Sequence, residues 1–252
     1  MNLTKIKLIS LVVPAYMQEK SIVKDIINLD NVLSTLPYNY EIIVVVDGFG
    51  DKTFEKAKKI RLKHLTVIGY KENQGKGHAV KHGALSAKGD IIGFIDSGMD
   101  LKADGIAILL DHMLWNNADI IVGSKLHPDS KVNYPLFRLV LSWGYRALTH
   151  FLFGFSIKDT QVGLKFFRRE VVKKVFPKLL VKAFAFDVEI LAISNAMGFE
   201  KIYEGPIELN FNDVSTIRSI TSIDFWKIIY LMLWDTMAIY YRLKIIKYYN
   251  NV

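Results

Sequence analysis

Short runs dense in Val, Ile and Leu alternate along the first half of the chain with longer stretches of helical character. Residues 8–13, 41–46, 65–69, 91–95 and 120–123 are apolar, short and bounded by Gly, Pro, Asp or Asn, which is the pattern of buried strands. Between them, residues 21–35, 52–62, 77–87 and 103–116 read as helices, with Ser21 and Asp51 as N-caps. This βαβα alternation predicts an α/β domain with a mostly parallel central sheet and helices on both faces. Ligands of such open sheets collect at the carboxyl ends of the strands.

That rule singles out the residues just after each strand. They are Pro14, Tyr16 and Glu19 after the first, Asp47 and Gly48 after the second, 73–77 (NQGKG) after the third and Asp96 to Asp100 after the fourth. Carboxylates, glycines and Lys76 thus converge on one edge, as a site for a metal-bound nucleotide phosphate requires. Oxygen ligands of this kind suit Mg²⁺ or Mn²⁺, held by one or two carboxylates plus substrate phosphates. Neither GxxxxGK[ST] nor GxGxxG occurs, which removes a P-loop or a dinucleotide fingerprint.

Length and composition narrow this picture. At 252 residues, 51% hydrophobic and 23% charged, the chain can bury a substantial core. The absence of Cys excludes a disulfide framework, a thiol nucleophile and a Cys-ligated zinc site. The net charge of +8 is concentrated, because residues 125–182 carry 12 basic and 3 acidic side chains. A basic block points to an anionic partner, and no motif makes that partner a nucleic acid. No secretory signal pattern is visible, so the N-terminus is expected to be cytosolic. No apolar run reaches the roughly 18–20 residues of a spanning helix; residues 228–234, flanked by Lys227 and Asp235, come nearest.

The motifs VVPAYMQE (12–19), VVDGFGDKT (45–53), NQGKGHAVKHG (73–83), GDIIGFIDSGMD (89–100), VGSK (122–125), DTQVGLKFFRREV (159–171) and FDVEIL (186–191) follow one another in a characteristic order. In these the sequence resembles family 2 glycosyltransferases of the GT-A type, and among them polyprenyl- or dolichyl-phosphate hexosyltransferases. The resemblance implies a GT-A nucleotide-diphospho-sugar transferase fold over residues 1–215; the pattern of the remaining residues, 216–252, predicts an amphipathic, membrane-associating C-terminal helix. It implies an inverting transfer of hexose from UDP-glucose or GDP-mannose to a polyprenyl or dolichyl phosphate, with the form DTQxGxK favouring the glucose donor.

Site roles follow from the same resemblance. Pro14, Tyr16, Glu19, Asp47, Lys76 and Asp96 would bind the nucleotide sugar, and Asp96 would hold the Mg²⁺ or Mn²⁺. Gly98 stands where the family's DxD motif places its second acid, leaving Asp100 as the further metal ligand. Val46 and Phe49 depart from the usual DDGS in the same way. Asp96, Gln161, Lys165 and Glu189 are the candidate catalytic residues, and Lys165, Arg168, Arg169 and Arg138 the candidates for the acceptor phosphate. By itself, 159–171 reads as a surface turn before a basic helix, and Asp187 with Glu189 as a solvated helix start.

Two stretches suggest a membrane surface as partner. Residues 132–157 interleave aromatic and Leu residues with Arg138, Arg146 and His150, the composition of an interfacial helix or of an ordinary core helix. In residues 222–249, Asp224, Lys227, Asp235 and Arg242 form a narrow stripe beside a broad apolar surface including Trp226, Tyr230, Trp234 and Met237. A single helix there would be roughly 40 Å long. Peripheral attachment to the cytosolic face of a membrane is the expectation. Two other readings remain: a family 2 enzyme extending a glycan hydroxyl, and a weakly active binding protein on the same scaffold.

Overall fold

A computed structural model describes residues 6–97, 103–132, 136–209 and 223–250. The elements in chain order are β1 (Leu8–Ala15), α1 (Ile22–Ser34), β2 (Asn39–Asp47), α2 (Thr53–Lys58), β3 (Leu65–Tyr70), α3 (Lys76–Ser86), β4 (Ile91–Ile95) and α4 (Gly105–Trp115). They continue with β5 (Ile120–Ser124), β6 (Lys131–Val132), α5 (Leu136–Phe153), β7 (Leu164–Arg168), α6 (Arg169–Val175), α7 (Phe186–Ala196), β8 (Ile202–Pro206), β9 (Glu208–Leu209) and α8 (Ile223–Tyr240). All five strands and all four helices expected in the first half are present. Only α2 stops early, because Ile60 and Leu62 leave the helical path to pack against the core.

The main sheet has the order β3-β2-β1-β4-β7-β5-β8. Its neighbours run parallel except for β7, which is antiparallel to both β4 and β5. Successive strand residues face opposite ways, and the sequence uses both faces. Ile9, Leu11 and Val13 of β1 pack with Ile22, Ile26, Leu29 and Leu33 of α1 and with Ile106, Leu109 and Leu110 of α4. Val12, Val45 and Phe94 point the other way, toward Ala79, Val80 and Ala84 of α3 and Val188 and Leu191 of α7. Truncating one such buried Leu or Ile to Ala costs about 2–5 kcal/mol.

Three features depart from expectation. Residues 164–168 form a central strand rather than part of a surface turn and helix, and β8 adds a strand beyond it. Asp187 and Glu189 do begin a helix, α7, yet both are buried, because α7 is enclosed on all sides of its first two turns. The C-terminal segment is not one helix of roughly 40 Å. After the 18 residues of α8 the chain widens into a π-turn at Tyr241–Ile245, and Lys247 at φ 49° reverses it so that Tyr248–Asn250 fold back. Ile239, Leu243 and Tyr249 thereby join the same core as α3 and α7.

Candidate active site

The carboxyl ends of β1, β2 and β4 place Tyr16, Asp47 and Asp96 along one edge of the sheet, with α3 starting beside them. Because β7 is antiparallel, its beginning lies at this same edge, with Leu164 opposite Ile95 and Lys165 opposite Phe94. Residues 159–165 and 91–96 are thus brought together.

Asp96 is the hub. Its amide donates to the Gly163 carbonyl at 2.9 Å, while Lys76 Nζ reaches its Oδ1 at 2.6 Å and its Oδ2 at 2.8 Å. A Cβ on Gly163 would lie 2.0 Å from Asp96 Oδ2, so only glycine lets this carboxylate lie against the 161–163 backbone. Behind it lies a second pair: Lys165 Nζ, fully buried, donates to Asp187 Oδ1 at 2.5 Å and to the Val162 carbonyl at 2.6 Å. Burial pushes the Lys165 ammonium down and the Asp187 carboxyl up. Burial also opposes the charge on Lys76, yet the carboxylates of Asp96 and Asp187 outweigh it and raise the lysine above its ordinary value. Phe94 and Phe186 wall this cluster, with Lys76 Nζ 5.5 Å from the Phe186 ring and Lys165 Nζ 5.3 Å from that of Phe94. The result is a chain of alternating charge, Asp96, Lys76, Asp187 and Lys165, beside apolar rings.

Asp47 organises the loop before α3. Its carboxylate accepts from the Gln74 amide at 2.7 Å, the Gly75 amide at 2.9 Å and Asn73 Nδ2 at 3.0 Å. Gly75, at φ 99°, supplies the left-handed turn, and the Gly77 amide donates to the Lys182 carbonyl at 2.8 Å. Pro14 is buried within β1, and Tyr16 is half-exposed at the bend that follows. Glu19 is turned toward the start of α2, where its Oε2 accepts from the Lys52 amide at 3.2 Å. Gln161 sits between the sheet edge and α8, its Nε2 3.2 Å from Met232 Sδ. Next to it Asp159 accepts from the Lys125 amide at 3.1 Å.

Three expectations about the acceptor phosphate need correction. Lys165 does not face the open edge; its ammonium is fully buried beneath the cluster, where it donates to Asp187 and the Val162 carbonyl. Arg168 pairs with Ile91, at the amino end of β4, roughly 13 Å along the strand from the site edge. There it holds the Ala118 carbonyl and Asn117, while Arg169 holds the Lys88 and Gly89 carbonyls. Both arginines tie down the opposite edge of the sheet. Asp100 lies outside the described residues, as does the side chain of Arg138.

Glu189, expected to be catalytic, is buried away from the edge. It accepts from the Leu180 and Val181 amides at 2.9 and 2.8 Å and from the Tyr249 hydroxyl at 2.5 Å. Asn73 belongs to the 73–77 run that the sequence places at this edge, and its side chain is a donor to Asp47. Tyr249 was not singled out by the sequence, and nothing local to it marks it.

A divalent cation needs oxygen ligands with spare lone pairs. Oδ1 of Asp96 is buried and takes no well-aligned hydrogen bond, though Lys76 Nζ lies 2.6 Å away, so a cation here would share this carboxylate with the lysine and take its other ligands from diphosphate oxygens. Among the described residues there is no cluster of three His, Asp or Glu side chains that could enclose a metal alone.

Residues 10–176 match the sequence pattern of glycosyl transferase family 2. The chain belongs to that family. It is 34% identical over 227 residues to the dolichyl-phosphate beta-glucosyltransferase of Homo sapiens, covering 82% of this chain and 68% of that protein. The Drosophila melanogaster enzyme of the same name is 34% identical over 205 residues, covering 74% of this chain and 62% of that protein. Glucosyl-3-phosphoglycerate synthase from Mycobacterium tuberculosis, solved with Mn²⁺, UDP and phosphoglyceric acid, superposes with a TM-score of 0.68 over 93% of this chain and 78% of that one, at 17% identity. Mannosyl-3-phosphoglycerate synthase from Rubrobacter xylanophilus gives 0.69 over 94% and 75%, at 14% identity. This family 2 glycosyltransferase therefore has the expected α/β GT-A fold.

Proposed function

We propose that this glycosyltransferase moves glucose, with inversion, from UDP-glucose to a dolichyl or related polyprenyl phosphate at the cytosolic face of a membrane. The carrying observation is the Asp96–Lys76 pair at the carboxyl edge of β4, a carboxylate and an ammonium placed where a nucleotide diphosphate binds in such sheets. The names of the curated relatives support glucose and dolichyl phosphate as the transferred and accepting groups. A diphosphate leaving group gathers negative charge as the glycosidic bond breaks. Lys76 stabilises that charge from one side. Asp96 would hold Mg²⁺ or Mn²⁺, which as a Lewis acid supplies the same stabilisation when bound.

The acceptor chemistry fits the buried pair. A sugar hydroxyl must lose its proton during attack and needs a base within reach, whereas a phosphate monoester with a second pKa of about 6 is already ionised at neutral pH. Asp187, the carboxylate nearest to Asp96 through Lys76, is committed to Lys165, an arrangement that serves orientation rather than proton abstraction.

Membrane attachment rests on α8 and α5. The face of α8 turned away from the core exposes Trp226, Tyr230, Leu231, Trp234 and Met237, the π-turn that follows exposes Tyr241, and α5 exposes Trp143 and Phe151. The two helices meet through Tyr145 and Thr236, whose hydroxyls are 2.7 Å apart. Arg242 of the expected polar stripe turns inward toward Glu189, while Lys244 and Lys247 stay exposed. Basic groups at such a surface contribute about 1 kcal/mol each on an anionic leaflet. Among the described residues no helix is long and apolar enough to cross a membrane.

The test is transfer of radiolabel from UDP-[³H]glucose or GDP-[³H]mannose, with and without dolichyl phosphate. Label entering the lipid fraction only from UDP-glucose, and only with lipid phosphate present, is the expected result. Transfer to glycan hydroxyls without lipid phosphate would replace this reading by glycan extension.

A further inference from the structure

The reversal at Lys247 carries Tyr249 into the interior, where it is 2% exposed and gives its hydroxyl to the fully buried Glu189. Both oxygens of that carboxylate are committed: Oε1 to Tyr249, and Oε2 to the Leu180 and Val181 amides. Arg242 at the end of α8 approaches Oε1 at 3.9 Å, and Lys178 Nζ holds the Tyr249 carbonyl at 3.1 Å. The segment pinned in this way is the one against which the donor loop rests. The Lys182 carbonyl receives the Gly77 amide, and it lies so close to Gly75 that a Cβ there would approach to 2.4 Å. From the other side Lys81 of α3 binds the Pro177 and Leu179 carbonyls at 2.9 and 2.8 Å.

Residues 177–182 are thus a slat clamped between the first turns of α3, which carry Lys76, and the folded-back C-terminal segment. The slat has no regular secondary structure beyond the 3₁₀ turn at Phe176–Lys178, so it has few bonds of its own to keep its place. A buried carboxylate that loses one of its donors is left under-solvated, so local opening of the segment that returns its charge to water becomes less costly.

We infer that Tyr249 is a positioning residue for the donor site: through Glu189 and residues 180–182 it fixes the loop 74–77 and the aim of Lys76. The C-terminal segment that emerges from α8 is thereby coupled to nucleotide-sugar binding without touching the substrate. This deepens the proposed function and rests on it only for the identity of the nucleotide.

The experiment is hydrogen–deuterium exchange on the full chain and on Tyr249→Phe, which removes one oxygen and leaves the ring packed. Tyr248→Phe, altering an exposed neighbour, is the control. Loss of a hydrogen bond to a charged, buried group should speed exchange about tenfold or more in peptides spanning 74–82 and 178–183. Peptides from β1, α1 and β4 should keep their rates. Unchanged protection at 74–82 would overturn the coupling, and a uniform rise over the whole chain would reduce Tyr249 to a purely structural role. In steady-state transfer the same variant should lower kcat/KM for UDP-glucose several-fold with the KM for lipid phosphate held, whereas an unchanged kcat/KM for the donor would overturn the inference. Absence of turnover in the parent protein counts against the proposed function alone, because the exchange experiment decides the coupling without it.

Discussion

The donor edge of the sheet and the outer face of α8 invert the usual distribution of side chains in opposite senses. At the edge, charged groups are drawn inside: Lys165, Asp187 and Asp47 are buried and each is matched to a specific partner. On α8, large apolar groups are pushed outside, with Trp226, Tyr230 and Trp234 each more than half exposed. Scattered exposed apolar residues are ordinary, but a contiguous patch of this kind marks an interaction surface. The contrast teaches that the two regions answer to different solvents. Under the proposed function, one would replace water around phosphates by fixed charges, and the other would leave water for an acyl boundary.

The largest expected effect breaks the interior half of this comparison. Lys165→Ala leaves Asp187 buried without its partner and should cost about 3–5 kcal/mol in urea unfolding, with transfer lost. The double variant Lys165→Met/Asp187→Leu removes both charges and should regain much of that stability but none of the transfer. Recovery of activity in the double variant would show that the pair serves folding only.

Next comes Asp96→Asn, which keeps the shape and removes the charge. Turnover should fall about 10²-fold or more, as when one charge-stabilising group is removed from a transition state. The folded protein should survive, because Lys76 keeps a hydrogen-bond acceptor. Full activity in this variant, or in excess chelator, would sink the proposed roles of Asp96 and the cation.

The outer half is tested by Trp226→Ala/Trp234→Ala. At about 1.5–3 kcal/mol for each fully buried large apolar side chain, partitioning into dolichyl-phosphate-containing vesicles should fall at least tenfold in sedimentation, with the melting temperature unchanged. A drop in melting temperature with intact vesicle binding would make the face a protein contact instead. The smallest effect is expected for Arg169→Ala at the opposite edge of the sheet. Losing its carbonyl contacts should cost about 1 kcal/mol of stability and leave kcat and the acceptor KM unchanged.

The first half of the fold was legible because its strands are short Val/Ile runs between Gly, Pro and Asp, and because parallel strands buried on both faces leave that mark. The strand β7 was not, since Leu164 to Arg168 mixes two cations with its apolar residues and one of them, Lys165, is paired with Asp187, 22 positions away. The candidate site was legible where chemistry follows a strand end, as at Asp47 and Asp96. It was misread where a charge was assumed to face a ligand: Lys165 and Glu189 face other parts of the protein, and Arg168 and Arg169 point to the wrong edge. Helical periodicity predicted the apolar breadth of α8 but not where it stops, because the reversal depends on a single left-handed residue, Lys247, for which the sequence holds no glycine.

The antiparallel insertion of β7 also governs how the chain can assemble during synthesis. Strands β1 to β4 pair with one another as they emerge, but β4 and β5 do not touch; each waits for the strand that separates them. Until residues 164–168 have left the ribosome, Ile91–Ile95 keeps one edge unbonded and Ile120–Ser124 keeps both, since its other neighbour, β8, is made later still. A nascent or truncated chain ending before residue 164 is accordingly expected to expose a template for intermolecular strand pairing.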